Sequence, residues 1–127
     1  MLSVLLDSNI ILYAVASGNE SALQWIEREV PAASAVSYVE TLGYHRLNER
    51  DRLELVAFFV ETVLLPLDER VIGQATVLRQ ERRMSLGDAI IAATALVHDL
   101  TLVTRNVDDF RWIADLRLLN PFEAPTP

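Results

Sequence analysis

Short apolar runs alternate with helix-length segments along this chain, and that alternation limits the possible folds more than any other feature. A continuous apolar run of strand length is typical of a strand that is buried on both faces of a sheet. Residues 2–6 form such a run, and further short segments at residues 32–36, 63–65, 101–104 and 117–119 are also candidate strands. We therefore predict five strands that lie at the centre of the molecule.

The segments between these runs have helical patterning. Ala22, Trp25, Ile26 and Val30, for example, lie on one helical stripe. Helices are predicted in this way over residues 10–15, 22–30, 53–60, 72–83 and 88–97, and a further helix is predicted to begin at Ser37. Strands that are separated by helices pair in parallel through right-handed crossovers. The predicted fold class is α/β, as a three-layer α/β/α sandwich around a mainly parallel five-stranded sheet.

Length and composition fit one domain without disulfides. The 127 residues are 51% hydrophobic and include no cysteine, so neither a disulfide framework nor a thiolate zinc site is available. We expect one domain over residues 1–120 and a short proline-rich tail over residues 121–127. The first apolar run follows no basic segment, and the run 89–97 is too short to span a membrane. We expect a soluble, cytoplasmic protein.

Charge argues against nucleic-acid binding by electrostatics alone. The net charge is −7, and a protein that holds nucleic acid by charge alone has a basic surface. All 11 basic residues are arginine, however, and arginine can hold a phosphate through two hydrogen bonds. The composition thus lowers the expectation of a nucleic-acid partner without removing it.

Polar side chains follow the predicted strands, at the edge where ligands bind in parallel α/β sheets. Asp7, Ser8 and Asn9 come directly after the first strand, and Glu40 comes shortly after the second. Asp88 opens the most apolar helix. The fourth strand is followed by Thr104, Arg105, Asn106 and Asp109. Four separate segments can therefore bring oxygen ligands to one edge of the sheet.

Three of these carboxylates also fit a second interpretation. Helix capping boxes are matched by the pairs Ser37 and Glu40, Ser85 and Asp88, and Asn106 and Asp109. In that interpretation each carboxylate satisfies a free backbone N–H group at the start of a helix. The two roles are compatible, because a helix N-terminus also stabilises an anion that binds a metal.

Asp7 differs from the other three carboxylates, because it directly follows a buried strand. A buried carboxylate is costly unless a cation or hydrogen bonds compensate it. Several clustered carboxylates also repel one another unless a divalent cation lies among them. With no cysteine and only the isolated His45 and His98, Mg²⁺ or Mn²⁺ fits such a cluster better than zinc.

Four segments in this order carry a resemblance that covers essentially the whole chain. They read LLDSN at residues 5–9, SYVE at 37–40, GDAIIAATA at 87–95 and LVTRNVDDF at 102–110. The chain resembles PIN-domain ribonucleases, and among them it is most similar to VapC-type toxins of toxin–antitoxin pairs. The resemblance implies a parallel five-stranded sheet, RNA cleavage that depends on Mg²⁺ or Mn²⁺, homodimerisation and neutralisation by a cognate antitoxin.

The resemblance also implies roles for the polar residues. Asp7 and Asp88 hold the ion, and Glu40 binds it or accepts a proton from the attacking water. Many members carry a fourth acid where this chain has Asn106, so Asp109, one helical turn later, is expected to substitute for it. One firmly bound ion follows from that departure. Ser8 and Asn9 are expected to orient Asp7, and the predicted substrate contacts are Thr104, Arg105 and Asn9.

Several alternatives stay open at this point. Arg105 either contacts phosphate or pairs with Asp108 on the surface. Apolar residues around the first helix, among them Ile10, Leu12, Tyr13 and Trp25, either pack in the core or bind an antitoxin helix. A PIN-like module that binds RNA or protein without cleaving it is the alternative function. Receiver domains and haloacid-dehalogenase-type phosphatases fit poorly, because both use a lysine that this chain lacks.

Overall fold

Residues 2–122, which the computed structural model describes, contain five strands that form one parallel sheet. The strands are β1 (Val4–Leu6), β2 (Pro31–Ser34), β3 (Val63–Leu65), β4 (Thr101–Val103) and β5 (Leu118–Leu119). They pair in the order β3-β2-β1-β4-β5, and every pairing is parallel. The predicted parallel five-stranded sheet is confirmed. Residues 123–127 of the predicted tail lie outside the described part of the chain.

Helices connect the strands and cover both faces of the sheet. Helix α1 (Ser8–Ile11) runs directly into a π-helical turn (Leu12–Ala16). The remaining helices are α2 (Glu20–Arg28), α3 (Ala35–Leu42), α4 (Glu49–Val60), α5 (Glu69–Glu81), α6 (Leu86–Val97) and α7 (Val107–Phe110). Strand β1 shows how the layers form: Leu5 packs in one apolar cluster, whereas Val4 and Leu6 pack in the other. Alternate residues of a strand point to opposite faces, so the three-layer α/β/α architecture is confirmed.

Helix α3 begins earlier than the capping pattern predicted. Its N-cap is Ser34, whose extended backbone ends β2 and whose hydroxyl accepts a hydrogen bond from the backbone N–H of Val36. Ser37 therefore lies inside the helix, and the capping-box interpretation of Ser37 and Glu40 is wrong. Strand β2 ends at Ser34 rather than at residue 36 for the same reason.

The other two predicted caps differ from each other. The Ser85 hydroxyl accepts a hydrogen bond from the backbone N–H of Asp88, so Ser85 does cap α6. Asn106 stands at the start of α7, but no side chain within residues 2–122 caps that helix. The longest helix, α5, has 13 residues, and none of the helices in the described range is long and apolar enough to cross a membrane.

Candidate active site

Asp7 is fixed at the carboxyl end of β1 by two hydrogen bonds. Strands β1 and β4 are neighbours in which Leu6 pairs with Val103, so Asp7 and Thr104 leave the sheet side by side. The Thr104 hydroxyl donates to Asp7 Oδ2 at 2.7 Å, and the backbone N–H of Ser8 donates to Oδ1 at 2.7 Å. Asp7 is only 5% exposed and Thr104 is fully buried.

Burial and neighbouring charges act on the Asp7 carboxyl. Burial is the largest cause that raises the pKa of Asp7, to about 6. The hydrogen bonds from Thr104 and Ser8 lower it, and the charges of Asp88 and Glu40 raise it further. The three predicted ligands Asp7, Glu40 and Asp88 therefore share one electrostatic environment.

Asp88 connects the remaining acids to this environment. It lies in the first turn of α6, where it is half-buried. Burial raises the pKa of Asp88, and the charges of Asp109 and Glu40 raise it too, while a hydrogen bond with Ser85 partly opposes them. Asp109, an exposed residue of α7, thus faces the same cluster. The structure brings together four acids from four segments.

Glu40 reaches the cluster from α3, and its carboxylate meets Ser8. The hydroxyl of Ser8 donates to Glu40 Oε1 at 2.8 Å and lies 2.9 Å from the hydroxyl of buried Ser37. Ser8 was expected to orient Asp7, and only its backbone N–H does so. Its side chain serves Glu40, a link that the sequence patterns did not suggest.

The loop after β4 is also joined to α1, through Asn9. The side-chain oxygen of Asn9 accepts a hydrogen bond from the backbone N–H of Arg105 at 3.3 Å, so Asn9 holds this loop and does not orient Asp7. The backbone N–H of Asn106 donates to the Thr104 hydroxyl at 3.0 Å. The Thr104 hydroxyl is buried between these partners, which makes a direct substrate contact through it incompatible with this arrangement.

Arg105 does not form the predicted surface pair. Its guanidinium lies over the ring of Tyr13, 4.2 Å from the ring centroid. Asp108 pairs instead with Arg111 at 3.1 Å. Stacking on an aromatic face leaves the N–H groups at the rim of a guanidinium free to bind an anion. The exposed Arg105 side chain thus remains available at the edge of the site.

Gly87 is a residue of this site that sequence reasoning missed. It precedes Asp88 in α6, and a Cβ atom added there would stand 2.5 Å from Glu40 Oε2 and 3.1 Å from its Cδ. The signal available in the sequence was a glycine inside an otherwise alanine-rich helix. Its position shows that the Glu40 carboxylate lies against the first turn of α6.

The residues fit a divalent ion by their chemistry. In the part of the chain that the structure describes, no three Asp, Glu or His side chains are grouped closely enough to hold a metal ion as they stand. The four clustered acids also form no salt bridge within residues 2–122. Carboxylate oxygens suit a hard divalent cation, and the pKa values of Asp7 and Asp88 are raised first by burial and then by neighbouring acids. Binding such an ion requires the carboxylates to move towards one another.

The two histidines lie outside this arrangement. His45 is exposed and packs against the ring of Tyr44. His98 ends α6, at the opposite end of that helix from Asp88. Its Nε2 atom is buried without a hydrogen-bond partner among the described residues. Neither histidine contributes to the acidic cluster.

Comparison with known proteins gives a consistent result. Residues 4–116 match the PIN-domain family. The chain is 33% identical to ribonuclease VapC1 of Rickettsia felis, over 93% of this chain and 96% of that protein. It is 34% identical to ribonuclease VapC10 of Mycobacterium tuberculosis, over 96% of this chain and 95% of that protein.

Solved structures extend the similarity to the whole fold. A toxin–antitoxin complex from Klebsiella pneumoniae contains a chain that is 30% identical, and the two chains superpose with a TM-score of 0.76. The similarity covers 96% of this chain and all of that one. The parallel sheet, the acidic cluster at its carboxyl edge and these similarities together show that this chain belongs to the PIN-domain family, among the relatives of the VapC ribonucleases.

Proposed function

We propose that this protein is a divalent-metal-dependent endoribonuclease and the toxin of a toxin–antitoxin pair. The observation that carries the proposal is the cluster of Asp7, Glu40, Asp88 and Asp109 at the carboxyl edge of the sheet. These acids share one electrostatic environment and lack arginine partners among the described residues. Such a cluster has no evident structural benefit, because repulsion and burial both make it costly.

The proposed mechanism divides the work among the acids. Asp7 and Asp88 would hold the divalent ion, Mg²⁺ or Mn²⁺, and Asp109, directly or through water, and Asn106 would complete the site. When bound, the ion would stabilise the charge on the scissile phosphate and make a water molecule more acidic. Glu40, whose negative charge would help to hold the ion, accepts a proton from the attacking water. Its Oε2 atom suits this role, because Oε1 already accepts the hydrogen bond of Ser8.

Arg105 is the proposed contact for the RNA backbone. Its guanidinium is exposed and is oriented by the ring of Tyr13. Asn9 supports this contact indirectly, because its side chain binds the backbone of Arg105. We expect an Arg105→Ala variant to bind RNA more weakly while the geometry of the acidic cluster is kept.

We propose a cognate antitoxin as the protein partner. The Klebsiella pneumoniae relative was solved as a toxin–antitoxin complex. Of the apolar residues considered for this contact, Ile10 is fully buried in the core and is unavailable. A groove between α2 and α4, lined by Leu23, Val30 and Phe58 and edged by glutamates, suits an apolar helix with basic flanks. We extend the proposal to a homodimer in the cytoplasm.

Cleavage of RNA by the purified protein tests the proposal. The RNA should be cut in Mg²⁺ or Mn²⁺, remain intact in excess EDTA, and be cut again when the metal is restored. Cleavage that is undiminished in EDTA would contradict the metal mechanism. RNA binding without cleavage in Mn²⁺ would favour a non-cleaving PIN-like module, the alternative that Asn106 in place of a fourth acid supports.

A further inference from the structure

Glu40 needs help from its neighbours to present its carboxylate in one place. Its side chain has three rotatable bonds, and it lies on the exposed side of α3. A long charged side chain that is unrestrained samples many rotamers, and fixing it costs conformational entropy. Asp7, by contrast, is short, buried and held by two hydrogen bonds. The residues that contact the Glu40 side chain therefore decide whether its carboxylate keeps one position at the site.

Ser8 restrains the Oε1 side of the carboxylate. Its hydroxyl oxygen is 2.8 Å from Glu40 Oε1 and 2.9 Å from the hydroxyl oxygen of Ser37. A hydroxyl carries one proton, and a carboxylate is the stronger acceptor of the two partners. Ser8 thus donates to Glu40 and accepts from Ser37, which is itself fully buried. The three groups form one directed chain of hydrogen bonds.

Gly87 leaves room for the Oε2 side of the Glu40 carboxylate, because glycine has no side chain. A Cβ atom there would stand 2.5 Å from Oε2, closer than non-bonded atoms approach. Its backbone is not in the left-handed region, so conformation does not require glycine at this position. Glycine is also less favourable than alanine within a helix. The space left by the missing side chain is the reason for glycine that the structure supplies.

We propose that Ser8 and Gly87 are positioning residues that together hold the Glu40 carboxylate at the acidic cluster. Ser8 pulls one oxygen towards α1, and Gly87 lets the other lie against the start of α6, beside Asp88. The carboxylate thereby stays near both Asp7 and Asp88, on whose pKa values its charge acts. This inference rests on the proposed ribonuclease function, to which it adds two residues that are not themselves acids.

Substitution of Gly87 by alanine tests the inference. Gly87→Ala should weaken Mn²⁺ binding, measured by calorimetry, and lower kcat, each by roughly tenfold, the scale for residues that orient metal ligands. The melting temperature and KM should stay near the wild-type values. Gly73→Ala is the matched control, because Gly73 lies in α5 with no atom within 4 Å of an added Cβ. It should leave Mn²⁺ affinity, kcat and KM unchanged and should raise the melting temperature slightly, because alanine is more favourable than glycine within a helix.

A double-mutant cycle separates positioning from a general disturbance of α6. In a Glu40→Ala background no carboxylate meets the added methyl group, so Gly87→Ala should have no further effect on Mn²⁺ affinity. A tenfold loss that persists in this background would overturn the role of Gly87. Crystal structures of the wild type and of Gly87→Ala should show that the substitution displaces the Glu40 carboxylate.

Ser8 is tested in the same assays. Ser8→Ala removes the hydroxyl and keeps the backbone N–H that binds Asp7, so it should lower kcat and Mn²⁺ affinity by roughly tenfold. Ser8→Thr keeps a hydroxyl and should restore both. Wild-type behaviour of Ser8→Ala and Gly87→Ala in a protein that cleaves RNA would overturn the positioning proposal alone. A wild-type protein that binds Mn²⁺ without cleaving RNA would overturn the proposed function, while the affinity measurements would still test the positioning.

Discussion

Acidic side chains are arranged in opposite ways in two regions of this molecule. On the outer surface each of several acids is paired with an arginine, as in Glu49 with Arg52, Glu54 with Arg50, Asp99 with Arg117, and Asp108 with Arg111. At the carboxyl edge of the sheet, the carboxylates of Asp7 and Glu40 accept hydrogen bonds from hydroxyl or backbone N–H groups. None of the four clustered acids forms a salt bridge within residues 2–122.

The pKa values reflect this difference. A hydrogen bond from Arg52 lowers the pKa of Glu49, whereas burial and neighbouring acids raise the pKa of Asp7 to about 6. Exposed ion pairs such as that of Glu49 and Arg52 contribute little to the stability of the fold. The acidic cluster lowers that stability. The comparison indicates that, among the described residues, no arginine neutralises the clustered acids, which leaves negative charge at the sheet edge for a cation.

The largest expected effect is the loss of activity when either buried acid is neutralised. Asp7→Asn and Asp88→Asn should each lower the rate of RNA cleavage about a thousandfold or more. Each substitution removes a ligand of the ion, and the ion lowers the free energy of the charged transition state by several kcal/mol. Asp108→Asn, which removes only a surface pair, is the control and should cleave normally. Equal activity of all three variants would contradict the proposed difference between the clustered acids and the acids of the surface ion pairs.

Glu40→Gln should lower the rate by about a hundredfold, the usual scale for a general base. Its melting temperature should be unchanged, since Ser34 and not Glu40 caps α3. Ser8 can still donate to the amide oxygen of glutamine, so the comparison isolates the charge. Near-normal turnover would remove Glu40 from the active site and leave Asp7, Asp88 and Asp109 as the acids that matter.

Two adjacent acids of α7 offer a closer comparison. Asp109 acts on the pKa of Asp88, whereas Asp108 pairs with Arg111. Asp109→Asn should lower activity by about tenfold, because it changes the outer part of the metal site, and Asp108→Asn should have no effect. The same loss in both variants would mean that the net charge of α7 matters and not the direction in which each acid points.

The smallest expected effect is on stability. Since the pKa of Asp7 is about 6 in the folded protein and 3.8 as its ordinary value, the folded state binds more protons between these pH values. The free energy of unfolding then falls as pH rises through that range. The free energy of unfolding of Asp7→Asn does not fall in this way, because asparagine does not ionise. In EDTA this variant should be more stable than the wild type by about 1–3 kcal/mol above pH 6.

Urea unfolding of both proteins between pH 3.5 and 8 measures this difference. The two stability curves should converge as the pH falls through the ordinary pKa of Asp7, because below it the carboxyl is protonated in both states. Parallel curves would show that the charge of the Asp7 carboxylate does not destabilise the metal-free protein.

Most of the fold could be predicted because its signals are local. Buried strands such as Val4–Leu6 appear as continuous apolar runs, and helices appear through their periodicity. The start of α3 was predicted wrongly because Ser34 and Ser37 are both competent caps. The choice between them depends on where β2 stops being extended, which is set by its pairing with β1 and β3.

The site could be predicted only as a set of residue types. Asp7 stood out because a carboxylate after a buried strand needs compensation. Its bond to Thr104 joins residues 97 positions apart, and the bond between Ser8 and Glu40 joins residues 32 apart. Both follow from the strand order, in which β1 lies between β2 and β4. Gly87 could not be singled out, because its role is visible only once Glu40 lies beside it.

Calorimetric titration of Mn²⁺ into the EDTA-stripped protein tests the central claim most directly. The account predicts that the wild type and Asp108→Asn bind a single ion with equal affinity and that Asp7→Asn and Asp88→Asn lose this binding. Asn106→Asp should bind a second ion, because it adds a negative charge beside Thr104 and the acidic cluster. Binding that is the same in wild type and Asp7→Asn, or no binding by the wild type, would contradict the claim that this acidic edge is a metal site.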